Sequence, residues 1–362
     1  MNRTKIISTW QVFSLLFISR MILFITDSPQ MSGRENSLFS LVTMILYFFI
    51  SLLFLFPLYL LFRDHRELNL LQLSDYAFGE AGKAVPILLG GYLAFEACIE
   101  LARYNIFVRS ELMTEESVVL LSVTLMLCAV VGVFMGIQGL ARTAGIFLVL
   151  IVLAMVFIFF ALLPEFKLTN LEPFEFEGAG TMTKEVLMTL SRNSEFIALA
   201  LLIPMMKGKL KKSAVWWTAG QGIAYLLIMI PILFALGSFG KTQQYPYFAA
   251  AKLAEWGVFQ RLDALYSAIW IAAMFLKIST LLFLFTLSIS HLFTEKIGKI
   301  SLAAAAVPVT GIGVFITQNE PVFIWLYSGK FLIPMHLFFS AFLPLLVWVF
   351  TKRREKREGA VA

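Results

Sequence analysis

Apolar residues run along this chain in long blocks, not in the alternation of a half-buried strand or the one-sided stripe of a soluble helix, and each block ends where charged or turn residues gather. A bilayer core of about 30 Å needs roughly 20 such residues per helix. Cutting the chain at its polar clusters predicts ten spans, over residues 9–25, 38–62, 84–108, 117–136, 140–163, 185–206, 213–239, 262–292, 300–317 and 330–351. The first block reads as a retained helix and not a cleaved leader, because no small-residue cleavage site follows it and the chain turns at Asp27, Ser28 and Pro29. Two connections are long enough to hold structure. Residues 164–184 contain Pro164, Asn170, Pro173 and Gly178, and residues 240–261 lead from Tyr245-Pro246-Tyr247 into an amphipathic stretch from Phe248 to Phe259. That stretch predicts a short helix, either laid across the outer mouth of a vestibule or anchored at the interface by Tyr247 and Trp256.

Composition agrees with a lipid solvent. Of 362 residues 59% are hydrophobic and 14% charged, against about 45–50% and about 25% in soluble domains. An ordinary soluble enzyme, a disordered chain and a nucleic-acid binder are excluded. Cys98 and Cys128 lie inside apolar runs, and His65, His291 and His336 are scattered, so no disulfide framework, metal site or cofactor is expected. No nucleophile–base pair stands out, and an enzyme is not expected. Seventeen of the 29 Lys and Arg fall on one side of the predicted spans, eight on the other and four inside them, which places both termini in the cytoplasm. The tail Lys352, Arg353, Arg354, Lys356 and Arg357 then reads as a topology anchor in preference to a patch for nucleic acid or anionic lipid.

The expected fold class is an all-α integral membrane protein of ten helices, arranged as a five-plus-five inverted repeat with broken first and sixth helices. One transmembrane domain covers residues 1–351, with repeats over about 9–163 and 185–351, followed by a basic tail over 352–362. A Ser-Arg pair interrupts both repeat-initial helices, at Ser19-Arg20 and Ser191-Arg192.

Function is sought where polarity is expensive. An ionised side chain at the centre of a span costs about 2.5–3.5 kcal/mol on insertion scales, and this chain keeps seven: Arg20, Glu96, Glu100, Arg103, Arg192, Glu195 and Lys277. Uncompensated, they sum to about 20 kcal/mol, so they are expected to meet one another or a wet cavity. Tyr92, Glu96, Glu100 and Arg103 share one helical stripe; Glu100 pairs with Arg103, and Glu96 calls for a cation from Arg20, Arg192 or Lys277. Asn193 and Ser194, which compete with the helical ladder, mark the expected break between Arg192 and Glu195. Four cations against three anions leave one positive charge for a carboxylate ligand. Competing readings are snorkelling for Arg20, an intrahelical brace for Glu100 with Arg103, and a fixed internal cation for Lys277. Gly132 to Gly136 and Gly311 to Gly313 read as helix packing.

Several stretches resemble the B subunit of GerA-type spore germinant receptors, the spore permease family of the amino acid–polyamine–organocation superfamily. They are Arg261 to Trp270 continuing through Phe275-Leu276-Lys277-Ile278-Ser279, Trp10-Gln11 opening the first helix, Leu71 to Lys83, and Asn170-Leu171-Glu172-Pro173. The resemblance implies a nutrient sensor of the spore inner membrane that works with a larger A subunit and a lipoprotein C subunit. It further implies a ligand pocket around Ser19-Arg20 and Ser191 to Glu195, with Lys277 and Ser279 facing the first helix. Many relatives have glycine where the first helix unwinds; Ser19-Arg20-Met21-Ile22 has none, so Arg20 is expected to replace what backbone groups do elsewhere. A secondary transporter with Glu96 or Glu195 as proton carrier is the alternative.

Overall fold

The computed structural model describes residues 7–26, 38–113, 115–171, 178–208, 210–256 and 262–359. Arg261, Glu172 and Pro173 of the resemblance stretches, and the turn at Asp27 to Pro29, lie outside the described residues.

The chain enters through β1 (Ile7–Ser8), which pairs in parallel with β2 (Met206–Lys207), Ile7 opposite Met206. Ser8 caps α1 (Thr9–Ile25): its hydroxyl accepts from the Gln11 backbone while the Gln11 side chain returns to the Ser8 backbone. Every residue from Val12 to Ile25 is buried, as suits a helix that is apolar all round and central. α1 runs through Ser19 and Arg20 without a break, which corrects the expected interruption of the first helix. With no glycine and a side chain that reaches its partners on another helix, nothing there requires the backbone to open.

The second span divides at Leu55 into α2 (Leu38–Phe54) and α3 (Phe56–Asp64), with Pro57 at the start of the latter. α4 (Leu70–Phe78) is joined by a tight turn to α5 (Ala84–Phe107). That turn needs its glycines: Gly79 sits at φ 61°, and a Cβ on Gly82 would lie 2.5 Å from the Ser74 carbonyl oxygen. α6 (Val118–Ala161) is 44 residues long, about 66 Å if straight, twice the hydrocarbon thickness. Gly136, at φ 73° and ψ 170°, divides it. The connection expected over 137–139 is therefore a single-residue break, for which only glycine is suited.

α7 (Ala179–Ser191) and α8 (Glu195–Leu202) form a bent pair, 41° apart. α9 (Leu210–Pro231) follows, then the short α10 (Pro246–Leu253), α11 (Asp263–Leu292), α12 (Glu295–Gln318), α13 (Glu320–Leu326), α14 (Gly329–Leu337), a π-turn over Phe338–Phe342, and α15 (Leu343–Gly359). α10 packs on the start of α11, with Phe248 against Phe107 and Tyr266. Tyr247 is buried, which corrects its reading as an interfacial anchor, whereas Trp256 is half exposed beside Phe157. At the opposite end the tail continues α15 as helix, with Lys352 pairing Asp64 at 3.1 Å and Arg354 pairing Glu358 at 2.8 Å.

Among the described residues seven helical stretches are long and apolar enough to cross a membrane, the α7–α8 pair makes a candidate eighth, and α1 is shorter. Large side chains such as Phe49, Leu127, Phe134, Leu153 and Val307 point outward, the distribution expected where lipid and not water surrounds the helices. The chain is a helical, multi-pass membrane protein. α1 packs against α6, α9 and α11, and α11 lies between α5 and α6; these helices bring the buried charges together.

Candidate functional site

α7 stops at Ser191 because Arg192 leaves helical geometry at φ −98° and ψ 16°, and α8 restarts at Glu195. The last carbonyls of a helix have no partner within it. Here Arg20 supplies one from α1: Nη1 donates to the Arg192 carbonyl at 2.9 Å and Nη2 to the Thr189 carbonyl at 2.8 Å. A cation at a helix C-terminus is also favoured by the macrodipole. The guanidinium stacks within 4.8 Å of Phe24 and 5.3 Å of Tyr47, and Asn193 Nδ2 donates to the Tyr47 hydroxyl at 3.2 Å. Arg20 is 1% exposed; it caps the broken helix and does not snorkel.

Beside the break the charges interlock. The Ser19 hydroxyl donates to Glu195 Oε1 at 2.6 Å. Lys277 Nζ, from the middle of α11, lies 3.1 Å from Glu100 Oε1 and 3.7 Å from Glu195 Oε1, and donates to the Ser19 carbonyl at 3.3 Å. Glu100 also pairs with Arg103 at 2.9 Å, whose other nitrogen donates to the Thr26 hydroxyl. Lys277 thus ties α1, α5, α8 and α11 at one point. Arg192 and Arg103 approach the same ring, Tyr327 after α13, at 4.3 and 5.5 Å. Tyr327 stacks on Phe323, and Phe323 lines a polar cleft of about 370 Å³ with Arg109, Ser110, Gln244, Thr317 and Glu320.

Of the residues singled out from sequence, Ser19, Arg20, Glu100, Arg103, Arg192, Asn193, Glu195 and Lys277 meet around the break. Tyr92 and Glu96 turn to a different partner. His336 on α14 places Nδ1 2.9 Å from the Tyr92 hydroxyl and Nε2 3.1 Å from Glu96 Oε1, so the group beside Glu96 is a histidine and not Arg20, Arg192 or Lys277. Ser279 also stands apart: its hydroxyl donates to the Phe275 carbonyl, and it closes on Gly132, where an added Cβ would lie 2.7 Å from Ser279 Oγ. Gly132 therefore serves close packing, as does Gly313 against Leu101, whereas a Cβ added to Gly311 would meet no other element within 4 Å among the described residues.

Thr26, Tyr47, Glu185, Thr189, Tyr327 and His336 were not legible as site residues. Glu185 is buried one turn before Thr189 on the stripe that carries Arg192, and its position at the first residue of a predicted span concealed it. It brings the buried carboxylates near the break to three among the described residues, Glu100, Glu185 and Glu195, beside the buried Arg20, Arg103, Arg192 and Lys277. Among the described residues no group of His, Cys, Asp and Glu is arranged to hold a metal ion.

The family model for spore permeases, described as spore germination protein, matches residues 6–322. Among curated proteins none matches the chain.

Proposed function

Because the chain belongs to the spore germination permease family, we propose that it is the transporter-fold membrane subunit of a germinant receptor, binding an amino acid or similar small carboxylate that arrives from outside. In this reading ten helices form two inverted repeats, with both termini in the cytoplasm and the bilayer that of the spore inner membrane. A larger A subunit and a lipoprotein C subunit receive the signal.

The observation that carries the proposal is the pair of guanidinium groups, Arg103 and Arg192, over one Tyr327 ring beside a helix break. Planar, weakly hydrated guanidinium groups suit carboxylate recognition. The Glu195 carboxylate, in the first turn of α8, offers an acceptor for an ammonium group. A sensor needs only differential affinity of the ligand for two arrangements of the helices, and the bent α7–α8 pair is the element we assign to move.

A secondary transporter is the second reading, favoured by Glu195 Oε2, which is buried without a hydrogen-bond partner and so is suited to accept a proton. Reconstituting the protein with a panel of labelled amino acids, scoring binding and uptake separately, tests both. Saturable binding without uptake supports the sensor; uptake by the protein alone supports the transporter; neither, in protein shown to be folded, overturns the ligand pocket.

A further inference from the structure

The nutrient pocket leaves His336 unused. His336 is 2% exposed and lies on α14, the helix expected to begin the last span. Its two ring nitrogens face different partners on α5: the Tyr92 hydroxyl at Nδ1 and the Glu96 carboxylate at Nε2. Glu96 and Tyr92 are themselves buried. Glu96 Oε1 stands at ion-pair distance from Nε2 but is not aligned for a hydrogen bond, so a small turn of the ring strengthens or weakens the contact.

This arrangement accommodates two protonation states. With the ring neutral, the Tyr92 hydroxyl donates to Nδ1 and the ring proton sits on Nε2, toward Glu96. When one proton is added at Nδ1, both nitrogens become donors, the Tyr92 oxygen changes from donor to acceptor, and imidazolium faces carboxylate. No bond other than that N–H forms or breaks.

Glu100 follows one turn along α5, Lys277 comes from α11 and Glu195 from α8, and these three bind one another. α7, packed on α14, contributes buried Glu185 and Arg192. The buried faces of α4, α6 and α12 carry no acidic or basic side chain, and Lys330 at the start of α14 is exposed.

The backbone on either side of His336 is irregular. Pro334 lies inside α14, and the π-turn Phe338–Phe342 follows, with Ser340 donating to the His336 carbonyl and Phe339 stacked on Tyr92 at 4.3 Å. Proline removes a ladder hydrogen bond and π-turns gather where helices do more than span. The last span is therefore deformable where its one buried ionisable group meets α5.

We propose that Tyr92, Glu96 and His336 form an internal proton-binding site, separate from the nutrient pocket, and that the charge on His336 sets how the last span packs against α5. The protein thereby binds a proton as a second ligand, and its response to nutrient depends on pH through this site.

The test uses the full chain in lipid nanodiscs with ¹⁵N-labelled histidine. His65→Gln with His291→Gln leaves His336 as the sole histidine; both replaced residues pair with acids at partly exposed positions. The ring nitrogens are followed by NMR between about pH 5 and pH 9, which brackets the range of about pH 5 to 8 in which histidine charge is ordinarily switched. The expected result is passage from a doubly protonated to a neutral ring, with the midpoint displaced at least about tenfold in proton concentration by Glu96→Gln. Tyr92→Phe, which retains the ring stacked on Phe339, is expected to change the tautomer ratio of the neutral form. A ring locked in one state over the whole range, or a midpoint identical with and without the Glu96 carboxylate, overturns the proposal.

Discussion

Replacing Lys277 by methionine isolates the junction on which the account is built. The side chain is 1% exposed, and its ammonium sits 3.1 Å from Glu100 Oε1, 3.7 Å from Glu195 Oε1 and 3.3 Å from the Ser19 carbonyl. Methionine retains most of the volume and removes the charge. An exposed pair lost in this way costs at most about 1 kcal/mol. Removing one partner of a buried pair strands the other and costs about 3–5 kcal/mol, or about 10²- to 10⁴-fold in the folding equilibrium. The two carboxylates are not left alike: Glu100 keeps Arg103 at 2.9 Å, whereas Glu195 keeps, among the described residues, the Ser19 hydroxyl and no cation at ion-pair distance. Adding Glu195→Gln to Lys277→Met is therefore expected to recover most of the loss, and adding Glu100→Gln much less. Equilibrium unfolding of the purified protein in mixed micelles reads all three variants against the parent. A single-variant loss under about 1 kcal/mol, or equal rescue by the two glutamines, would refute the reasoning.

Arg20→Lys keeps the charge but cannot reach the Thr189 and Arg192 carbonyls together; unfolding is expected to show a loss of about 1–3 kcal/mol. Gly132→Ala drives a Cβ to 2.7 Å from Ser279 Oγ and 3.1 Å from Phe275, at about 1–3 kcal/mol for overpacking, and Ser279→Ala in the same chain is expected to restore part of it. Gly136→Ala places a side chain at φ 73°, and about 1–2 kcal/mol of strain is expected in the same assay. Lys352→Ala, by contrast, removes pairs that are partly exposed and is expected to cost under about 1 kcal/mol.

How far the sequence disclosed this molecule follows from what each signal depends on. Helix positions were legible because transfer into lipid is a local property of some 20 residues: α1 occupies the expected 9–25, and α11 begins and ends within one residue of the expected span. The break at Arg192 to Ser194 was legible because Asn and Ser carry a local propensity against helix. The continuity of α1 was not, since it depends on Arg20 finding carbonyls on α7, a contact 169 residues away. The partner of Glu96 was missed because histidine is neutral in a formal charge count, so His336 drew no attention among apolar neighbours. Tyr327 was hidden for a related reason: an aromatic residue in an apolar chain becomes informative only when two guanidinium groups are seen against it.

The central claim is that the charges around the α7–α8 break receive the nutrient. It is tested most directly by the germination dose response of spores carrying Arg192→Ala or Glu195→Ala, with the amount of protein in the inner membrane measured alongside. The account predicts that both variants reach the membrane at parental levels and no longer respond to nutrient. Unchanged dose–response curves in both variants would contradict it.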